Sequence, residues 1–203
     1  MVDFSIVIIS YNEGDWLKKT VDGIFADKSF NNYEIILVND SSTDNSFEFL
    51  NDSKYEEIKV LVTTGVGVSR ARHAGAMKAE GKTLIFLDAH MVIEDNWLLK
   101  IKKVLNENPQ IGLLGLNVYD LETGVDIKNQ FYTSKELDML NASWGYHDYE
   151  DSLLNVPFVN ASNFVINREI YLEIGGFPEF IKGWGPEDRT LSILAFYYGY
   201  DAY

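Results

Sequence analysis

Thr83-Leu84-Ile85-Phe86-Leu87-Asp88-Ala89-His90 is an uninterrupted apolar run that stops abruptly at a carboxylate and an imidazole. Residues 83–87 are a short β-branched and aromatic run that reads as a strand. Upstream, residues 69–80 are rich in alanine and end at Gly81, a helix with a glycine stop. Downstream, Trp97, Leu98, Ile101, Val104 and Leu105 mark one face of a helix that ends near Pro109. The same alternation continues toward the N-terminus. Residues 4–9, 34–38 and 58–62 read as strands, and Leu17, Val21, Ile24 and Phe25 line one helical face. Residues 42–50 open with capping side chains and carry Phe47 and Leu50, which predicts another helix. Strands separated by helices form βαβ units. The expected class is α/β, with a mostly parallel central sheet and helices on both faces.

The second half reads differently. Residues 111–119 and a segment through Tyr132 flank Glu122-Thr123-Gly124, a hairpin-like turn. Residues 133–155 are polar and aromatic without a clear period and are expected to form a long loop. In it or at its edge, Tyr132, Trp144, Tyr146, His147 and Tyr149 could either wall an acceptor site or pack down as a small satellite core. Residues 160–166 predict a strand, 167–174 a short helix stopped by Gly175-Gly176, and 186–198 a last helix. No repeat or linker divides the chain, so its 203 residues are expected to form one domain.

Composition excludes several function classes. The net charge is −14, which repels nucleic acid and anionic lipid, since binding either needs a lysine- and arginine-rich face. A phosphate-bearing ligand would need local positive charge, from a divalent cation and a few placed arginines. There are no cysteines, hence no disulfide or thiolate metal site. No stretch resembles a signal peptide or approaches the ~20 apolar residues of a membrane span. The expectation is a cytoplasmic chain without a membrane segment. The sequence carries no signature of an oligomeric state.

Ligands of open α/β sheets bind beyond the carboxyl ends of the strands. Those ends are polar here while the strand bodies are apolar: Ser10-Tyr11-Asn12-Glu13, Asn39-Asp40-Ser41-Ser42, Thr63-Thr64-Gly65-Val66-Gly67 and Asp88-Ala89-His90. On an extended segment Asp88 and His90 leave the same face and could aim an oxygen and a nitrogen at one divalent ion. Alternatively, Asp88 caps the approach to the Asn96 helix and His90 is a loop histidine. Asp40 could accept the N3–H of a uracil ring, or cap a helix at 43–50. Arg70, Arg72 and His73 lie in the first turns of their helix, where cations suit the macrodipole poorly unless an anion such as diphosphate also binds there. Arg70 and His73 share a face and Arg72 points elsewhere. Gly183-Trp184-Gly185-Pro186-Glu187-Asp188 offers an aromatic platform for a sugar and two acids opening a helix. Acids in a first turn are favourable without any catalysis.

Taken in order, these segments resemble the glycosyltransferases with the A-type fold. Ile8-Ile9-Ser10-Tyr11-Asn12-Glu13 and Val38-Asn39-Asp40-Ser41-Ser42-Thr43-Asp44 resemble family 2 glycosyltransferases. Ser69-Arg70-Ala71-Arg72-His73-Ala74-Gly75-Ala76, Phe86-Leu87-Asp88-Ala89-His90 and Asn96-Trp97-Leu98 are similar to polypeptide N-acetylgalactosaminyltransferases, as are Gly175-Gly176-Phe177 and Trp184-Gly185-Pro186-Glu187-Asp188. The resemblance covers nearly the whole chain. It implies a nucleotide-binding half at 1–110 and an acceptor-side half at 111–203. It also implies a UDP-sugar donor held by Ser10, Tyr11, Asn12, Glu13, Asp40, Arg70, Arg72, Asp88, Ala89 and Trp184. Asp88 and His90 would bind Mn2+ or Mg2+, and the acceptor would be a glycan or a polypeptide. An inverting reaction needs a base, for which Asp188 is the choice, with Glu187 positioning acceptor or sugar. A retaining reaction needs no such base.

Two departures stand out. Pro186 replaces the second glycine of the tryptophan motif. The chain also stops at Gly199-Tyr200-Asp201-Ala202-Tyr203, where relatives begin a final strand and then supply another metal-ligand histidine, so truncation at the C-terminus is expected. The competing function is a non-catalytic nucleotide-sugar or glycan-binding domain of the same fold. A nucleotide-dependent dehydrogenase is excluded because Ser10-Tyr11-Asn12-Glu13-Gly14 stands where G-x-G-x-x-G would be required.

Overall fold

In the computed structural model, residues 2–116, 131–133, 143–145, 153–160, 162–182 and 185–203 are described. The strands of the first half form where hydrophobic patterning places them: β1 (Phe4–Ser10), β2 (Tyr33–Asn39), β3 (Lys59–Val62) and β4 (Thr83–Asp88). They alternate with α1 (Asp15–Ala26), α2 (Val68–Lys78) and, after β4, α3 (Trp97–Glu107). The second half adds β5 (Ile111–Gly115), β6 (Phe131–Thr133), β7 (Ser143–Gly145), β8 (Asn163–Asn167), α4 (Arg168–Glu173), α5 (Glu187–Tyr197) and β9 (Asp201–Ala202).

Seven strands form one sheet in the order β3-β2-β1-β4-β8-β5-β9. β1 to β4 are parallel, β5 is parallel to β9, and β8 runs antiparallel between β4 and β5. Both faces are covered, as β1 requires with nearly every side chain buried. One face packs Val7, Ile36, Val38, Phe86 and Phe164 against α2, α4 and α5. The other packs Ile6, Ile8, Ile35, Leu37 and Ile85 against α1 and α3. Gly75 sets the distance of α2, because a Cβ there would lie 2.4 Å from Val7 Cγ1 and 2.9 Å from Val38 Cγ2.

Three expectations are revised. Residues 42–50 form no α-helix; the segment ends in 3-10 turns at Glu48–Asn51 and Ser53–Tyr55. Its backbone donors are claimed by side chains, Ser42 N by Asn39, Thr43 N and Asp44 N by Asn12, and Ser46 N by Asp44, which compete with a helix. The segment 133–155 is not wholly loop, because β7 pairs antiparallel with β6. β5 pairs with β8 and β9 rather than with β6, and the turn at 122–124 lies outside the described residues. A strand does begin near 199–203 as the resemblance implies, with Asp201 and Ala202 pairing beside β5. Among the described residues, no helix is long and apolar enough to cross a membrane.

The 3-10 segment is tied to α1 through Asp22, which accepts hydrogen bonds from Lys18, Lys54 and the Tyr55 hydroxyl. Burial pushes this carboxyl up, but the three donors outweigh it and hold the pKa at about 2. A carboxyl lowered on folding stabilises above its unfolded pKa, about 3.9, and loses that contribution as the pH falls through the folded value. Asp22→Asn is therefore expected to lower the melting temperature near neutrality and to converge with wild type at about pH 2. Thermal melts between about pH 2 and 6 check this, and a constant offset across that range would contradict it.

Candidate active site

In the sheet order, β1 lies between β2 and β4, so the chain reverses its direction of travel across the sheet between β1 and β4. A crevice opens at the carboxyl ends of the flanking strands at such a point. Register places Ile9 opposite Asp88, so β1 and β4 end level with one another. A cavity of about 240 Å³ lies there, lined by Ser10, Tyr11, Glu13, Asp40, Val68, Arg72, Asp88, Ala89 and His90 among others. Val68 is the first residue of α2, so the positive end of that helix stands beside the cavity.

Arg72 is the buried charge of the site, only 4% exposed. Its Nη2 donates to Asp88 Oδ1 at 2.7 Å and its Nη1 to Glu187 Oε1 at 2.8 Å. One guanidinium fork thereby joins β4 to the first turn of α5, with the Phe177 ring 5.9 Å away. Among the described residues, Arg72 Nε and Glu187 Oε2 are buried without a hydrogen-bond partner. Burial pushes the Glu187 carboxyl up, and the pull of Arg72 offsets this only in part. Asp188 is also buried and accepts from Arg189 N at 2.7 Å. Neither acid lines the cavity; Glu187 reaches it through Arg72.

His90 sits apart from the strand. Ala89 and His90 form a turn rather than continuing the extended chain, which corrects the premise that Asp88 and His90 leave one strand face. Both nevertheless line the cavity. His90 Nδ1 lies 3.0 Å from Glu13 Oε2. With a carboxylate there, Nδ1 carries the hydrogen and Nε2 presents its lone pair, the orientation that a metal-ligating imidazole needs. Among the described residues no group of three or more His, Asp and Glu side chains is gathered to hold a metal. Asp88 and His90 both line the cavity and could offer a divalent cation one oxygen and one nitrogen, with Asp88 Oδ1 already engaged by Arg72.

The turn is held by Thr20, which sequence reading missed. From the fully buried face of α1, its Oγ1 donates to Ala89 O at 2.8 Å, lies 3.0 Å from Met91 O, and accepts from Met91 N at 2.9 Å. The available signal was a hydroxyl on a helix face otherwise made of Leu17, Val21 and Ile24. Thr20→Val keeps the shape and leaves the Met91 N–H without that acceptor. It is expected to cost about 1–3 kcal/mol in chemical denaturation, and a neutral result would remove Thr20 from this account.

Asp40 caps no helix. Its Oδ1 accepts from Thr63 Oγ1 at 2.6 Å and Val66 N at 2.7 Å, and its Oδ2 from Gly67 N at 2.9 Å, which fixes the loop into α2. Asn12, at φ 56°, pins the neighbouring loop through Thr43 N and does not line the cavity. Ser10 is buried, its Oγ without a partner among the described residues, while Tyr11 is 60% exposed at the rim. Arg70 donates to the Glu179 carbonyl at 2.6 Å and His73 meets the Tyr171 hydroxyl at 3.0 Å, so both turn away from Arg72, as their spacing predicts. Trp184 lies outside the described residues.

A family model described as glycosyl transferase family 2 matches residues 5–175. N-acetylgalactosaminyltransferase 7 of Drosophila melanogaster is 27% identical over 93% of this chain and 35% of its own length. Polypeptide N-acetylgalactosaminyltransferase 8 of the same fly is 30% identical over 79% of this chain and 29% of its own. The chain thus spans about a third of the length of these curated relatives. The crystal structure of GalNAc-T7 with UDP, GalNAc and Mn2+ superposes with a TM-score of 0.78 at 22% identity, over 100% of this chain and 42% of that one. At that identity the likeness establishes a shared fold.

Proposed function

The chain belongs to glycosyl transferase family 2, and from that premise we propose that it transfers a hexose or N-acetylhexosamine from a UDP-sugar to a glycan or polypeptide acceptor, with a divalent cation. The observation that carries this reading is the cavity at the β1–β4 reversal, where Ser10, Tyr11, Asp40, Arg72, Asp88 and His90 converge. Residues 1–110 hold the donor and 111–203 serve the acceptor. Asp40 Oδ2 accepts one hydrogen bond and a carboxylate oxygen can take two, so it retains capacity for the uracil N3–H. Tyr11 at the rim offers its ring to the base, and Ser10 contributes its hydroxyl. The α2 N-terminus favours the diphosphate, whereas Arg70, bound to the Glu179 carbonyl, lies off the cavity lining and would have to turn to reach it. Asp88 and His90 hold Mn2+ or Mg2+, which neutralises charge on the leaving diphosphate when bound. In an inverting reaction Asp188 takes the acceptor proton and Glu187 positions acceptor or sugar. The GalNAc-T7 structure with UDP, GalNAc and Mn2+ supports this choice of ligands by similarity.

The engagement of both Asp88 and Glu187 by Arg72 favours a second reading, a non-catalytic domain that binds a nucleotide sugar without turnover. Following UDP release from a panel of UDP-hexoses and UDP-N-acetylhexosamines with Mn2+, in the presence of glycan and peptide acceptors, separates the two. Saturable release from at least one sugar, lost in Asp188→Asn while UDP still binds, is the result expected for an inverting enzyme. UDP binding with no release from any sugar would overturn catalysis in favour of the binding domain.

A further inference from the structure

The Asp88–Arg72–Glu187 cluster contains two carboxylates and one guanidinium, so Arg72 cannot fully compensate both acids. It is 4% exposed and cannot exchange either partner for water without moving. Its two terminal nitrogens are divided, Nη2 to Asp88 and Nη1 to Glu187. Resting on the assignment of Asp88 as a cation ligand, we propose that Arg72 is a shared counter-ion, a positioning residue that couples the cation site on β4 to the acceptor-side helix α5. A cation drawing on the charge of Asp88 weakens its attraction for Arg72, and the guanidinium then commits to Glu187. Conversely, removing the charge of Glu187 leaves Arg72 to Asp88 alone, and a cation must compete harder for that carboxylate. By linkage the two effects are equal in size. Among the described residues Glu187 Oε2 and Arg72 Nε have no partner, which is consistent with a cluster that has a second arrangement available.

Glu187→Gln tests this, because its amide oxygen can keep the hydrogen bond to Arg72 Nη1 while losing the charge. Mn2+ affinity in the presence of UDP is measured by calorimetry for wild type, Glu187→Gln, Arg72→Met and the double variant. Glu187→Gln is expected to weaken Mn2+ by about fivefold or more with Arg72 present, and by less than about twofold in the Arg72→Met background. Unchanged affinity in Glu187→Gln overturns the proposal. So does a loss that persists or grows without Arg72, since that is the direct field of the carboxylate on the cation. Should Arg72→Met fail to fold, hydrogen exchange gives the same test. Mn2+ with UDP must increase protection along Glu187–Tyr197 in wild type and not in Glu187→Gln; equal protection in both overturns the coupling. A wild-type protein that binds no Mn2+ in the presence of UDP sinks the cation assignment itself, an outcome distinct from binding that ignores Glu187.

Discussion

Arg72→Ala should lose about 3–5 kcal/mol of folding stability, a fall in melting temperature of roughly 6–20 °C for a domain of this size. The loss arises from what is left behind. Glu187, 4% exposed, would keep its charge with no cation beside it, and Asp88 would face it across the vacated space. Breaking a buried pair on one side costs far more than the pair contributes when intact. The defect also has a pH signature. Burial already raises the Glu187 carboxyl with Arg72 present. A carboxyl raised on folding binds its proton more tightly in the folded state, so stability falls as the pH rises from the unfolded value toward the folded one. Arg72→Ala should therefore recover part of its lost stability on acidification through that interval, and adding Glu187→Gln should recover part of it near neutrality. Circular-dichroism melts of the single and double variants check both statements. A loss below about 1 kcal/mol would mean that the cluster is open to water.

Asp88→Ala should abolish the metal dependence of UDP binding, weakening it in Mn2+ by more than about 100-fold, since even partners of ligating residues cost 10–100-fold in metal affinity. Asp88 ends β4 level with β1 and lines the cavity, while its backbone N–H is held by Ser162 O at 2.8 Å. That anchoring belongs to the main chain, so truncating the side chain should leave the strand in place. The same change removes one partner of Arg72 yet leaves Glu187, so the fold should tolerate it better than Arg72→Ala. Calorimetry in Mn2+, paired with a melt, separates lost ligation from lost folding. Retained Mn2+-dependent binding would remove Asp88 from the metal site.

The first half of the fold was readable because its physics is local. The strands at 4–9, 34–38, 58–62 and 83–87 lie within one residue of the observed boundaries, since apolar runs between helical periods leave few alternatives. The gathering of Ser10, Asp40 and Asp88 at one crevice follows from the parallel order alone. What escaped was decided by distant partners. Arg72 meets Glu187 across 115 positions. The helix expected at 42–50 lost its Thr43 N–H to Asn12, 31 positions away, beside local competition from Asn39 and Asp44. Thr20 reads as an imperfection in an amphipathic helix until the turn it holds is in view. The reversed direction of β8 has no local signature, since a buried strand looks alike in either sense.

The central claim, that the β1–β4 crevice is a cation-dependent UDP site, is tested most directly by titrating UDP into the wild-type protein in Mn2+ and again in EDTA. Saturable, one-to-one binding in Mn2+ that EDTA abolishes is the expected result. Binding of equal strength in both buffers, or none in either, would contradict it.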